Sequence, residues 1–138
     1  MPTPTARALF AARLKQAREL RGLSQRALGV RLGLGPEKGS SRINRYEHQV
    51  TAVGFDNLER LAAELQVPVA YLLAENEAMA EAILAFSRSP AARRRKLARA
   101  IAGLAANPQL LDAVAAVYDL PDGDRTAVLE ALSKPQKR

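Results

Sequence analysis

Arg42, Asn44 and Arg45, preceded by Ser40 and Ser41 and flanked by Lys38 and His48, are the side chains here best suited to recognition chemistry. A guanidinium can grip guanine O6 and N7 together, and a carboxamide can do the same to adenine N6 and N7. Hydroxyls at a helix start make short contacts to bases or phosphates. A helix from Ser40 or Ser41 to about His48 places Ile43 and Tyr46, three apart, on its inward side and throws Arg42, Asn44 and Arg45 to the open side. Arg45, Asn44 and Ser41 are therefore assigned to reading base edges, and Lys38, Ser40, Arg42 and His48 to holding the sugar–phosphate backbone. One exposed arginine is ordinarily just solvated; the grouping is what points to DNA.

These residues need elements to position them. Phe10, Leu14, Ala17 and Leu20 recur at steps of four, three and three, which predicts a helix from about Arg7 to Arg21, ended by Gly22. Ser24 then supplies an N-cap hydroxyl, and Gln25 opens a second helix with Leu28 and Leu32 inward. At that helix start, the Ser24 and Gln25 amides can address a phosphate. Gly33 breaks the helix, and Gly35-Pro36-Glu37-Lys38-Gly39 reads as a loop. Two short helices joined at a steep angle leave the second proud of the surface, at a width that fits the major groove. A fourth helix is expected over Phe55–Leu65, burying Leu58, Leu61, Ala62 and Leu65, and a short fifth from Pro68 to Leu73.

Beyond residue 74 the texture changes. Helices are expected over 75–87 (Met79, Ile83 and Phe86 on one stripe), over 91–106 after the Ser89-Pro90 start (Leu97, Ile101, Leu104) and over 108–118 (Leu111, Val114 and Val117 or Tyr118). A last helix, 125–132, is expected after the turn Pro121-Asp122-Gly123-Asp124. The reading is all-α: a flexible N-terminus (1–6), a DNA-binding domain (7–74), a C-terminal helical region serving dimerisation (75–133) and a basic tail (134–138).

Composition narrows the function classes. The 138 residues carry a net charge of +7, with 11 Lys/Arg against 6 Asp/Glu up to residue 74 and 10 against 8 after it, so the excess sits mainly on the half with the recognition residues. Such a balance suits a polyanion, because each neutralised phosphate releases condensed counterions. There is no cysteine and only one histidine, which leaves no thiolate or paired-imidazole metal site. No carboxylate pair, nucleophile–histidine pair or phosphate-cradling glycine loop supports an enzyme, and no cofactor is expected. The N-terminus lacks the apolar core of a secretion signal and no stretch is long and apolar enough to span a membrane, so a cytoplasmic setting is expected. Arg93-Arg94-Arg95-Lys96 fans around most of a helical turn and reads as a solvated face. Asp119, Asp122 and Asp124 do not have the spacing of a calcium-binding EF-hand loop.

Leu23-Ser24-Gln25, Leu28, Gly33, Ile43-Asn44-Arg45-Tyr46-Glu47 and, later, Leu58, Leu61-Ala62, Leu65-Gln66-Val67-Pro68 and Tyr71-Leu72-Leu73 resemble the Xre/Cro-type, lambda-repressor-like helix-turn-helix family over about residues 7–74. The resemblance implies a five-helix DNA-binding domain, acting as a dimer on a two-fold operator in transcriptional regulation. It also implies that Arg18 pairs with Glu47 behind the recognition helix, an orienting role. Three departures from the family pattern stand out. Gly29 replaces an alanine, at about 1 kcal/mol of helix propensity. The stretch from Gly33 to Ile43 is longer than usual. Gln49 replaces the glycine that follows the third helix. The function expected is a sequence-specific regulator, a repressor, working as a homodimer on double-stranded DNA. The alternative is an antitoxin-like interaction module whose C-terminal helices hold a partner protein and which autoregulates through DNA.

Overall fold

In the computed structural model, which describes residues 2–135, the first helix is set by its caps. Thr5 accepts a hydrogen bond from the Ala8 amide and starts α1 (Ala6–Leu20). Gly22, at φ +65°, stops it, with the Gly22 and Leu23 amides bonded back to the Glu19 and Arg18 carbonyls. Ser24 caps α2 (Gln25–Arg31) through the Ala27 amide at 3.0 Å.

α3 runs over Pro36–Glu47, and its start corrects the sequence reading. Residues 35–39, expected as a loop, are its N-cap and first turn, so neither Ser40 nor Ser41 caps it and the recognition helix is not confined to 40–48. Proline fits the first helical position, where the missing N–H has no partner to lose, and Glu37 complements the positive end of the helix dipole. The glycine inside the helix has a tertiary cause. A Cβ on Gly39 would stand 2.5 Å from the Cα of Gly29, and one on Gly29 would stand 2.4 Å from the Cα of Gly39. The two backbones touch, and only glycine at both positions lets α2 and α3 cross so closely. The long stretch between Gly33 and Ile43 is thus mostly an added helical turn. At the far end Gln49 takes the left-handed conformation (φ +60°) in which the family pattern has glycine, and the Val50 amide closes on the Arg45 carbonyl.

α4 (Phe55–Leu65) follows, then a 3-10 turn over Val69–Leu73, which is the fifth helix of the expected set, and α5 (Glu77–Arg88), capped by Asn76. Phe10, Leu14 and Ala17 of α1, Leu28 of α2, Ile43 and Tyr46 of α3, and Leu58, Leu61, Ala62 and Leu65 of α4 form one core with Tyr71 and Leu72. Phe10 meets Tyr46 edge-on at 5.8 Å between ring centroids. Leu20, expected inward, is exposed.

The chain divides into two compact units after Ser89, later than the 74/75 boundary expected from the sequence. α5 belongs to the first unit because Ala80 is buried and Ile83 and Leu84 pack on the core, and because Arg13 ties the two ends of that unit together. Arg13 donates from Nε to the Ala74 carbonyl and from Nη1 to Glu77 Oε2 (2.8 Å), while Gln16 donates to Glu77 Oε1. These bonds hold the Glu77 carboxyl below its ordinary pKa, the Arg13 hydrogen bond contributing most.

The second unit comprises α6 (Ala91–Ala106), α7 (Pro108–Tyr118) and α8 (Asp122–Ser133). None of its described residues is buried, and Ile101, Leu110, Leu111, Tyr118, Leu129 and Leu132 are exposed. α8 starts at Asp122 rather than after the expected turn, with Asp122 and Asp124 in its first turn. Gln136, Lys137 and Arg138 of the expected basic tail lie outside the described residues. Among those described, no single helix is long and apolar enough to cross a membrane, and no group of three or more acidic residues or histidine could hold a metal ion.

Candidate nucleic-acid interface

α3 is amphipathic in a specific way. Gly39, Ile43 and Tyr46 are buried, Ser40 and Glu47 are half-buried, and Glu37, Lys38, Ser41, Arg42, Asn44, Arg45 and His48 are exposed. At 100° per residue, Glu37, Ser41 and His48 stand opposite the buried stripe, with Asn44 on one flank and Arg45, Lys38 and Arg42 on the other. The outer face therefore carries three long cations, two short polar groups, one imidazole and one carboxylate.

The inner face fixes the angle of this rod. Arg18 of α1 donates from Nε to Glu47 Oε1 (2.6 Å) and from Nη2 to Glu47 Oε2 (3.1 Å), a two-pronged pair. Its remaining nitrogen Nη1 donates to the Leu23 carbonyl at 2.8 Å, so one guanidinium holds α1, the turn before α2 and the end of α3. The Glu47 side chain is 4% exposed and that of Arg18 is 12% exposed. The Glu47 hydrogen bond raises the Arg18 pKa further above its already high value, so the guanidinium stays charged in water at any ordinary pH. Asn57 of α4 donates to the Tyr46 hydroxyl at 3.3 Å and pins the other side of the helix.

Gln25 is drawn into this inner system. Its Nε2 donates to Glu47 Oε2 at 2.7 Å, and its Oε1 accepts from Asn44 Nδ2 at 3.4 Å. The sequence suggested a phosphate contact for Gln25 and base reading for Asn44; the structure links the two side chains to each other and to the buried carboxylate, while leaving Asn44 exposed. Ser24 is engaged as the α2 cap. His48 is the C-cap residue of α3, with Nδ1 2.9 Å from the Asn44 carbonyl.

Beside the outer face lies an open groove of about 710 Å³. Glu37, Lys38, Ser41, Arg42, Arg45 and Tyr46 form its α3 wall, and Thr51, Ala52 and Asn57 the facing wall. The sequence singled out neither Glu37 nor the facing wall. Glu37 was hidden by the loop reading of Gly35–Gly39, and Thr51 and Asn57 gain their place only through tertiary packing.

A helix braced on its inner face and lined with hydrogen-bonding cations on its outer one, beside a shorter capped helix, defines the helix-turn-helix class of DNA-binding units. The comparisons agree. A family model described as helix-turn-helix matches residues 14–72. A crystal structure of the transcriptional regulator BswR is similar to the chain at 38% identity and a TM-score of 0.63, over 70% of this chain and 96% of that one. No curated protein sequence matches. The chain belongs to the Xre/Cro-type, lambda-repressor-like helix-turn-helix family of DNA-binding transcriptional regulators.

Proposed function

We propose that this protein is a sequence-specific repressor that binds double-stranded DNA as a homodimer in the cytoplasm, with α3 in the major groove. The observation that carries the reading is the row of Lys38, Ser41, Arg42 and Arg45 along one groove wall, on a helix whose opposite face is held by Ile43, Tyr46 and the Arg18–Glu47 pair. Arg45, Asn44 and Ser41 face base edges; Ser24, Lys38, Ser40, Arg42 and His48 fix register on the backbone, and Gln25 acts on both Asn44 and Glu47. A small module seated in the groove of a promoter blocks access to that DNA, which is why repression is proposed.

Dimerisation is assigned to the second unit. Three helices without a buried residue lack the core that a segment of this size needs to stay folded alone, and a second copy would cover Ile101, Leu110, Leu111 and Leu129. The same apolar faces support the second reading, an antitoxin-like module that clasps a different protein through these helices and uses DNA binding for autoregulation. Selecting bound duplexes from a random pool, with the mass of the complex measured in parallel, tests both. A repressor dimer yields two inverted half-sites about one duplex turn, roughly 10 bp, apart. A monomer that selects no common sequence refutes the proposal. Stable co-purification of a second polypeptide on the C-terminal helices favours the other reading.

A further inference from the structure

Glu37 stands out among the residues of the groove wall. It lies in the first turn of α3, the turn that carries Gly39, and it is exposed. Glu37, Ser41 and Arg45 follow one another at i, i+4 and i+8, so they share one face of the helix and line the same groove. Among the described residues no hydrogen bond or ion pair engages the Glu37 carboxylate, although Lys38, Arg42 and Arg45 line the same wall. An unpaired carboxylate turned toward a polyanion is repelled by phosphates and by the acceptor edge of guanine. The base edge that suits it is the N4 amino group of cytosine, which presents a donor in the major groove.

We propose that Glu37 is a specificity-determining residue, accepting a hydrogen bond from cytosine N4 at the end of the half-site remote from Arg45. The assignment rests on α3 being the reading helix and adds a base position to it. Eight residues at about 1.5 Å each separate Glu37 from Arg45 by roughly 12 Å along the helix axis. That corresponds to about three to four base pairs at about 3.4 Å per step. The cytosine is therefore expected three or four pairs from the position whose preference Arg45→Ala erases.

The test is selection from a random duplex pool by wild type, E37A and E37Q, with circular dichroism confirming equal helix content. Wild type is expected to select cytosine at that position over other bases by about 5- to 150-fold, the range for one good base contact. E37A should lose the preference there alone, with binding to random duplexes unchanged or tighter. E37Q should move it toward adenine, whose N6 and N7 a carboxamide grips. Identical selected sites for all three proteins, or a uniform loss for every sequence in step with a lower melting temperature, would overturn the proposal and leave the role of α3 intact. A wild type that selects no sequence at all would overturn the reading of α3 as well.

Discussion

Replacing Gly29 by alanine pits helix propensity against packing. In an open helix the change stabilises by about 1 kcal/mol. At Gly29 the new methyl would sit 2.4 Å from both Cα and C of Gly39 and 2.9 Å from the Ser40 nitrogen. Ordinary carbon contacts lie near 3.5–4.0 Å, so α2 and α3 must part by about 1 Å, and the obstacle is backbone rather than the tip of a flexible side chain. Overpacking of this kind costs about 1–3 kcal/mol, and a backbone clash belongs at the upper end. The net expectation is a loss of about 2 kcal/mol, which lowers the melting temperature of a domain this size by roughly 10 °C. Thermal denaturation followed by far-UV circular dichroism reads it, with Gly39→Ala expected to match. Gly103→Ala serves as the contrast: nothing lies within 4 Å of that position in α6, so there the alanine should stabilise. A Gly29→Ala protein that melts at or above wild type would refute the close crossing and, with it, the reason for a glycine inside α3.

Three further outcomes follow from the same structure. Arg18→Ala leaves the Glu47 carboxylate almost fully buried without its main partner and should cost about 3–5 kcal/mol in urea unfolding, whereas replacing both residues by apolar ones of similar size should cost far less. Gln49→Gly should stabilise by about 0.5–1 kcal/mol, because the left-handed conformation costs an L side chain roughly 1–2 kcal/mol and glycine returns part of that as lost chain freedom. Glu77 has a depressed folded-state pKa, so its contribution is present above the ordinary carboxylate range and is lost as pH falls below it; melting of wild type should drop there more steeply than melting of Glu77→Gln.

How far the sequence shows this fold depends on which interactions are local. The helices α1 and α4 were legible because Phe10, Leu14 and Ala17, and Leu58, Leu61, Ala62 and Leu65, repeat at helical spacing and are buried as that spacing implies. The cap at Ser24 and the stop at Gly22 act within a few residues and leave the same kind of trace, whereas the Thr5 cap went unread. The start of α3 was not legible. Glycine and proline close together read as a turn, and the reason for a glycine inside this helix, room for the backbone of Gly29 on another element, shows only in the packed structure. Gly29, where the family pattern has alanine, was the one available signal, and its sense emerges only when Gly39 is seen against it. The buried stripe of α5 was shifted for a similar reason: Met79 is exposed while Ala80 is buried, because the Arg13–Glu77 pair and the Asn76 cap fix how that helix is rotated. At the interface, residue types disclosed the cations, but the link from Asn44 through Gln25 to Glu47 needed α2 and α3 both in place.

The most direct measurement of whether α3 reads base edges is the affinity of wild type, Arg45→Ala and Lys38→Ala for a selected duplex and for a scrambled one of equal composition, at physiological salt. Wild type should prefer the selected duplex. Arg45→Ala should lose about 5- to 150-fold of that preference while binding the scrambled duplex nearly as before, and Lys38→Ala should weaken both alike and reduce the salt dependence by about one counterion. Equal affinity of wild type for the two duplexes, or an Arg45→Ala loss that is the same on both, would contradict it.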